Sequence, residues 1–116
     1  MVNDMKDEFK GTKGPWQVLP EEVDKPYIRI RGTIIGHRYK VANVLTPVYE
    51  NVHAREADET RANAKLIVAA PELFEALRQL RDYVEDVCAV SPDDLHGDHP
   101  LNLANKAIKK ALGKKQ

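Results

Sequence analysis

Two runs of strand-forming residues separated by a short turn constrain the fold of this chain more than any other feature. Residues 27–35 and 38–45 are rich in Ile, Val and Tyr, and Gly36-His37 lies between them. A Gly-X pair between two such runs is typical of a type II′ turn, because glycine adopts the positive φ of the first turn position. The sequence therefore predicts an antiparallel β-hairpin.

A two-residue turn at Gly36-His37 also predicts the register of the hairpin. Side chains alternate between the two faces of a strand, so the turn determines which residues face each other. The expected apolar face pairs Ile34 with Tyr39, Gly32 with Val41, Ile30 with Asn43 and Ile28 with Leu45. The expected opposite face pairs Ile35 with Arg38, Thr33 with Lys40, Arg31 with Ala42 and Arg29 with Val44.

The remaining segments predict one further strand and three helices, which gives an α+β fold class. The strand covers residues 16–19, and the helices cover about 54–69, 71–88 and 100–112. Residues 1–13 read as a polar arm, and 14–116 as a single domain. Pro100 and Gly113 are typical of the first position and the end of the last helix.

Two of the predicted helices carry an apolar stripe. The stripe of the first consists of Ala57, Thr60, Ala64, Ile67 and Val68. The stripe of the second consists of Leu73, Leu77, Leu80, Val84 and Val87, with Arg78/Asp82 and Arg81/Glu85 expected on its outer surface. The second stripe spans only about two heptads, which is short for a coiled coil, so we expect it to pack on the hairpin. A coiled-coil contact through the same stripe is the alternative, and the sequence allows both.

Composition excludes several classes of protein. The 116 residues balance 18 Lys+Arg against 18 Asp+Glu, which argues against a globally basic nucleic-acid binder. A single cysteine, Cys88, excludes an intrachain disulfide and a cysteine zinc site. The N-terminus does not resemble a signal peptide, and no apolar run reaches the roughly 20 residues that span a bilayer. We expect a cytoplasmic protein without a membrane partner.

No catalytic or metal site is predicted. Motifs for nucleophilic catalysis or phosphate-binding loops do not occur, and Cys88 near a helix C-terminus fits a core residue better than a nucleophile. The cluster at residues 93–99 holds His96, Asp98 and His99, but its spacing matches helix-capping turns better than a metal site. We expect no enzyme activity, cofactor or metal.

The hairpin contains the one binding-site candidate. Residues 25–40 contain no acidic residue, and the predicted register places Arg29, Arg31, Arg38 and Lys40 on one face together with Tyr27. Aligned cations repel each other and destabilise the sheet, so a bound anion would stabilise it. The alternative is a solvated face, or pairing with acidic residues such as Glu50, Glu56, Asp58 and Glu59. If the face is a site, Arg31→Ala and Arg38→Ala should leave folding intact.

Two phrases give a family resemblance. Gly14-Pro15-Trp16, and residues 61–77 with the sequence Arg-Ala-Asn-Ala-Lys-Leu-Ile-Val-Ala-Ala-Pro-Glu-Leu-Phe-Glu-Ala-Leu, resemble a widespread family of small phage and prophage accessory proteins. That family has a Pro-Gly-Pro-Trp-like phrase and an Ala-Asn-Ala-Arg-Leu-Ile-Ala-Ala-Ala-Pro-Glu-Leu-Leu-Glu-Ala-Leu-like phrase. Residues 12–13 and Lys65, Val68 and Phe74 depart from it. Trp16 and Asn63 match its most distinctive positions, which implies either a structural bridge or a ligand contact.

The resemblance implies a phage origin and three candidate functions. Such accessory proteins often act in counter-defence, and some sequester nucleotide signals of bacterial immune systems as compact oligomers. The first candidate is therefore binding of a small anionic, nucleotide-like host molecule by a homo-oligomer. The second is inhibition of a host defence or regulatory protein by direct binding. The third is nucleic-acid binding through the basic hairpin face.

Overall fold

The computed structural model describes residues 8–34, 37–45, 54–89 and 97–115. Within these ranges, it describes the backbone but not the side chains of residues 33, 34, 37, 38 and 54–57. Its strands are β1 (Trp16–Val18), β2 (Tyr27–Ile34) and β3 (His37–Leu45), and its helices are α1 (Ala54–Val68), α2 (Ala70–Cys88) and α3 (Pro100–Ala111). The predicted α+β class and element order are confirmed. Two compact units form, a sheet unit (Gly11–Glu72) and a helical unit (Leu73–Gln116 with Met1–Lys10).

The sheet unit is an antiparallel sheet covered on one face by α1. The strand order is β1-β2-β3, and α1 contacts all three strands. Ile28 and Ile30 are buried against Ala64, and Thr60 is buried one turn before it on α1. Around this core pack half-buried residues from the strands and from α1, namely Trp16, Val41, Ala42, Val44, Ile67 and Val68. The inward stripe predicted for this helix is confirmed from Thr60 to Val68.

The predicted hairpin register is wrong. His37 belongs to β3 and pairs with Ile34, so it is not a turn residue, while residues 35 and 36 lie outside the described part of the chain. The observed pairs from the turn inward are Thr33↔Arg38, Gly32↔Tyr39 and Arg31↔Lys40. A β-bulge then follows, because Ile30 pairs with Ala42 and Val41 is the additional residue on β3.

Burial explains the bulge. The predicted register would have placed the Asn43 amide on the core face opposite Ile30, where an unpaired polar group is costly. The bulge shifts β3 by one residue, so Ala42 and Val44 lie opposite Ile30 and Ile28, and Asn43 lies opposite Arg29 on the other face. The core face then contains only apolar side chains at these positions.

The helical unit buries a different side of α2 from the one predicted. Leu73, Leu80 and Val87 of the expected inward stripe are 52%, 59% and 61% exposed, whereas Leu77 and Val84 are half-buried. Cys88, expected in the core, is exposed at the end of the helix. Arg81, expected on the outer surface, is only 8% exposed. The reason is a polar contact that periodicity does not reveal. Arg81 donates from Nη1 to Asn105 Oδ1 of α3 at 3.2 Å and from Nε to Asp82 Oδ1 at 3.0 Å.

Leu101 and Ile108 of α3 are buried, with Asn105 between them. The predicted ends of this helix are confirmed, because Pro100 is its first residue and Gly113 follows it with a φ of 75°. His99 is the N-cap, and its Nδ1 accepts a hydrogen bond from the Leu101 N–H at 3.1 Å. Phe9 packs in the same unit against Phe74, with ring centroids 6.2 Å apart.

The capping role of His99 accounts for part of the cluster at residues 93–99, whose members up to His96 lie outside the described part. Among the described residues, no group of three or more His, Cys, Asp and Glu side chains could hold a metal ion. Within the same part of the chain, no helix is both long and apolar enough to span a membrane.

Candidate anion-binding face

The sheet face opposite α1, called the outer face below, has a row of residues that continues across all three strands. Gln17 of β1 pairs with Arg31 of β2, and Arg31 pairs with Lys40 of β3. Side chains of directly paired residues lie on the same face, so these three are neighbours. The next two rows of the outer face contain Arg29 with Asn43 and Tyr27 with Leu45.

The outer face places two cations directly opposite each other. Arg31 opposes Lys40 instead of the predicted Ala42, and the three strands contain no acidic residue. Lys40 is exposed and Arg31 is half-buried. In the described part of the chain, no carboxylate pairs with either side chain. Directly opposed like charges destabilise a sheet. The observed register therefore makes the electrostatic cost of this face larger than the sequence predicted.

Arg31 also stabilises the bulge. Its Nη1 donates to the carbonyl oxygens of Ile30 at 2.8 Å and Ala42 at 3.1 Å, and to Asn43 Oδ1 at 3.3 Å. Ile30, Ala42 and Asn43 flank the bulge, where the regular hydrogen bonds between β2 and β3 are interrupted. The guanidinium therefore gives the two carbonyl oxygens a hydrogen-bond donor there. All three acceptors are neutral oxygens, so none of them is a counter-charge for the guanidinium. Removing this side chain should therefore cost stability, in contrast to the expectation from sequence.

Arg29 differs from Arg31 because a carboxylate neutralises it. Its Nη2 lies 2.8 Å from Glu22 Oε1 and donates to the Pro20 carbonyl oxygen at 3.2 Å. Lys25 bonds to the other oxygen of the same carboxylate. The hydrogen bond from Lys25 and the charge of Arg29 lower the pKa of Glu22 below its ordinary value. The partner of Arg29 thus comes from the acidic turn at residues 20–26 and not from the residues expected.

A second carboxylate of this turn binds α1. Arg61 donates from Nε to Glu21 Oε2 at 2.9 Å and from Nη1 to Asp58 Oδ1 at 3.0 Å. The hydrogen bond and charge of Arg61 lower the pKa of Glu21. The acidic turn therefore contacts the sheet through Glu22 and the helix through Glu21, and neither of these two carboxylates pairs with Arg31 or Lys40.

Trp16 lies on the core face, away from the basic residues. It pairs with Gly32, packs against the core, and donates from Nε1 to the Thr12 carbonyl oxygen at 3.0 Å. A Cβ added to Gly32 would lie 2.5 Å from Thr12 Cγ2 and 3.6 Å from Trp16 Cδ1. The absence of a side chain at Gly32 is what lets Thr12 and Trp16 pack closely over β2.

The two phrases of the family resemblance meet in space. A Cβ added to Gly14 would lie 2.7 Å from Pro71 Cβ, so the Gly-Pro-Trp phrase contacts the start of α2. Asn63 is exposed on α1, on the side of the sheet opposite the outer face. The structure therefore brings Tyr27, Arg29, Arg31 and Lys40 together, and the backbone of Arg38 lies one row beyond. Trp16 and Asn63 do not join them, and the Arg38 side chain lies outside the described part.

Sequence reasoning missed two polar members of the outer face, Gln17 and Asn43. Gln17 is a neighbour of Arg31 through the pairing of β1 with β2, and alternation along the short strand 16–19 could have indicated it. Asn43 could not have been found, because it reaches this face only through the bulge. Both side chains are exposed and carry amide groups that donate and accept hydrogen bonds.

Comparison with known proteins identifies one family. The family model described as Salmonella phage P22 protein Y8K6 matches residues 5–115. Neither the curated proteins nor the solved structures contain a match.

Proposed function

The chain belongs to the family of Salmonella phage P22 protein Y8K6, and from this phage membership and the outer face we propose that it binds a small anionic host molecule. The proposed ligand carries phosphate and is nucleotide-like. Binding would sequester the ligand in the cytoplasm of the bacterial host, without chemical conversion. A counter-defence role follows if the ligand is a signal of a host immune system.

The directly opposed pair of Arg31 and Lys40 is the observation that carries this proposal. A phosphate bound between them would turn like-charge repulsion into two charge-assisted contacts. Arg31 is already oriented by its bonds to Ile30 and Ala42, so little further ordering is needed when it binds. Gln17 and Asn43 supply hydrogen bonds at the edge, and Tyr27 supplies an aromatic ring on the same face.

Differential scanning fluorimetry with a panel of anions tests the proposal. The panel contains inorganic phosphate, pyrophosphate, mononucleotides and cyclic dinucleotides. A ligand that binds only the folded protein raises its melting temperature. We expect at least one phosphate compound to do so, and Lys40→Glu to weaken its binding by about tenfold or more.

Two matched variants serve as controls. Lys65→Glu makes the same charge change at an exposed position of α1, so it should leave binding unchanged. Arg29→Ala removes a cation of the outer face that Glu22 already neutralises, and it should weaken binding much less than Lys40→Glu. Equal losses of ligand affinity in all three variants would indicate nonspecific electrostatic attraction of the anion and contradict the proposal.

The natural ligand is sought by incubating the protein in host lysate, recovering it, and analysing the heat-released small molecules by mass spectrometry. Recovery of a phosphate compound by the wild type and not by Lys40→Glu supports the proposal. If no small molecule is released and only single-stranded oligonucleotides bind in a Lys40-dependent manner, the face is a nucleic-acid site instead.

A further inference from the structure

The helical unit exposes an apolar stripe along α2. Leu73, Leu80 and Val87 recur every seven residues, and Tyr83 and Ala76 lie between them at the complementary heptad positions. Leu73, Leu80, Tyr83 and Val87 are 52%, 59%, 64% and 61% exposed. Single exposed apolar residues are ordinary, but a contiguous row of this kind marks an interaction surface. The row is called the α2 stripe below.

Helix α3 exposes a second and complementary stripe. Leu103, Ala107 and Ala111 are exposed and follow one another at intervals of four residues, so they share one side of the helix. Lys106 and Lys110 border this side and are also exposed. Leu101 and Ile108 are buried on another side of α3. The α3 stripe is therefore a narrow apolar strip with lysines along one border.

The two helices have opposite net charge. α2 contains five acidic residues and two arginines, and both arginines pair with carboxylates of the helix itself, Arg78 with Glu75 and Arg81 with Asp82. Asp86 is exposed beside Val87 at the border of the α2 stripe. α3 contains three lysines and no acidic residue. The Asp86 carboxylate at the border of the α2 stripe is complementary in charge to the lysines at the border of the α3 stripe.

We infer that a second copy of this chain covers these surfaces. The α2 stripe of one protomer packs against the α3 stripe of its partner, and two-fold symmetry repeats the contact, because one chain carries both complementary surfaces. The small residues Ala107 and Ala111 leave room for Leu80 and Tyr83. The result is a four-helix arrangement made from two copies of α2 and α3. This inference does not depend on the proposed ligand.

Analytical ultracentrifugation over a concentration series tests the interface. We expect the wild type to be a dimer at micromolar concentration, and Leu80→Glu to weaken dimerisation by about a hundredfold or more through burial of a charge. Leu66→Glu is the matched control, because Leu66 is 65% exposed on α1 and lies outside both stripes. It should remain dimeric. Far-ultraviolet circular dichroism verifies that both variants fold, and Leu80→Ser replaces Leu80→Glu if the latter does not.

Cross-linking determines which helices meet. In a Cys88→Ser background, Leu80→Cys and Leu103→Cys proteins are mixed and treated with a short bismaleimide. We expect the mixed pair to cross-link at least about fivefold faster than either variant with itself, since the inferred contact places α2 of one protomer against α3 of its partner. Cross-linking of Leu80→Cys chiefly with itself would contradict this arrangement.

Three other outcomes would overturn the inference. A wild-type monomer at about a hundred micromolar would show that no second copy binds, since interfaces of standard size associate well below that concentration. Equal loss of dimer in Leu66→Glu and Leu80→Glu would place the interface elsewhere. A monomer whose α2 stripe retains a purified host protein would favour a protein-binding inhibitor.

Discussion

Helices α1 and α2 follow one another in the chain, yet they differ in how far the apolar stripe predicted for each is buried. α1 contributes few large apolar side chains and buries its inward positions, with Ala64 1% and Thr60 3% exposed. α2 contributes many more, and Leu73, Leu80, Tyr83 and Val87 are each more than half exposed. The difference shows that an apolar period predicts a surface that needs a partner, whereas only the tertiary structure shows whether the same chain supplies it.

The largest effect expected from this comparison is the loss of a core side chain. Ile30 is fully buried against α1, so Ile30→Ala should destabilise the protein by about 2–5 kcal/mol through lost burial and a cavity. Leu80→Ala changes a 59% exposed position, so at low protein concentration it should lower the free energy of unfolding much less than Ile30→Ala does. Urea unfolding of both variants measures the difference. Similar losses at low protein concentration would mean that Leu80 is part of the core of the monomer.

A smaller effect concerns the close approach over β2. Gly32→Ala would place a methyl group 2.5 Å from Thr12 Cγ2. We expect this overpacking to lower the free energy of unfolding by about 1–3 kcal/mol. Thr12→Ser removes the opposing methyl group, so the double variant should be less destabilised than the sum of the two single changes. Additive losses in thermal unfolding would show that Thr12 is not what constrains residue 32.

The buried arginine of α2 provides a third measurement. Arg81→Ala removes the hydrogen bond to Asn105 Oδ1, and we expect the free energy of unfolding to fall by about 1–3 kcal/mol. Arg78→Ala is the control, since Arg78 pairs with Glu75 on its own helix and should matter less. If both variants unfold at the same urea concentration, the hydrogen bond between Arg81 and Asn105 does not join α2 to α3.

The smallest effect should come from the acidic turn. The pKa of Glu21 is lowered below 4.5 in the folded state by Arg61, so its contribution to stability is complete above about pH 4.5. That contribution is lost as the pH falls through the folded pKa. Glu21→Gln should therefore lower the melting temperature slightly at pH 7 and flatten its decline below pH 4.5. The difference should shrink in high salt, because the pair is exposed.

Much of the candidate site was predictable. The basic residues of β2 and β3 share a face because strand alternation places Arg29 and Arg31 together, and Arg38 and Lys40 likewise. Which of the described ones pairs with a carboxylate was not predictable. Arg29 and Arg31 are two residues apart on one strand, yet Glu22 folds back onto the first and the bulge carbonyls engage the second. Contacts between residues distant in sequence decide this.

The sequence by itself determined the element types, their order, the inward stripe of α1 and the ends of α3, because local periodicity, proline and glycine act within a few residues. The tertiary structure decided the hairpin register and the buried side of α2. The register changed because burying Ala42 and Val44 opposite Ile30 and Ile28 keeps the Asn43 amide out of the core. The buried side of α2 changed because the hydrogen bond between Arg81 and Asn105 compensates a buried arginine, while the leucine stripe remains exposed.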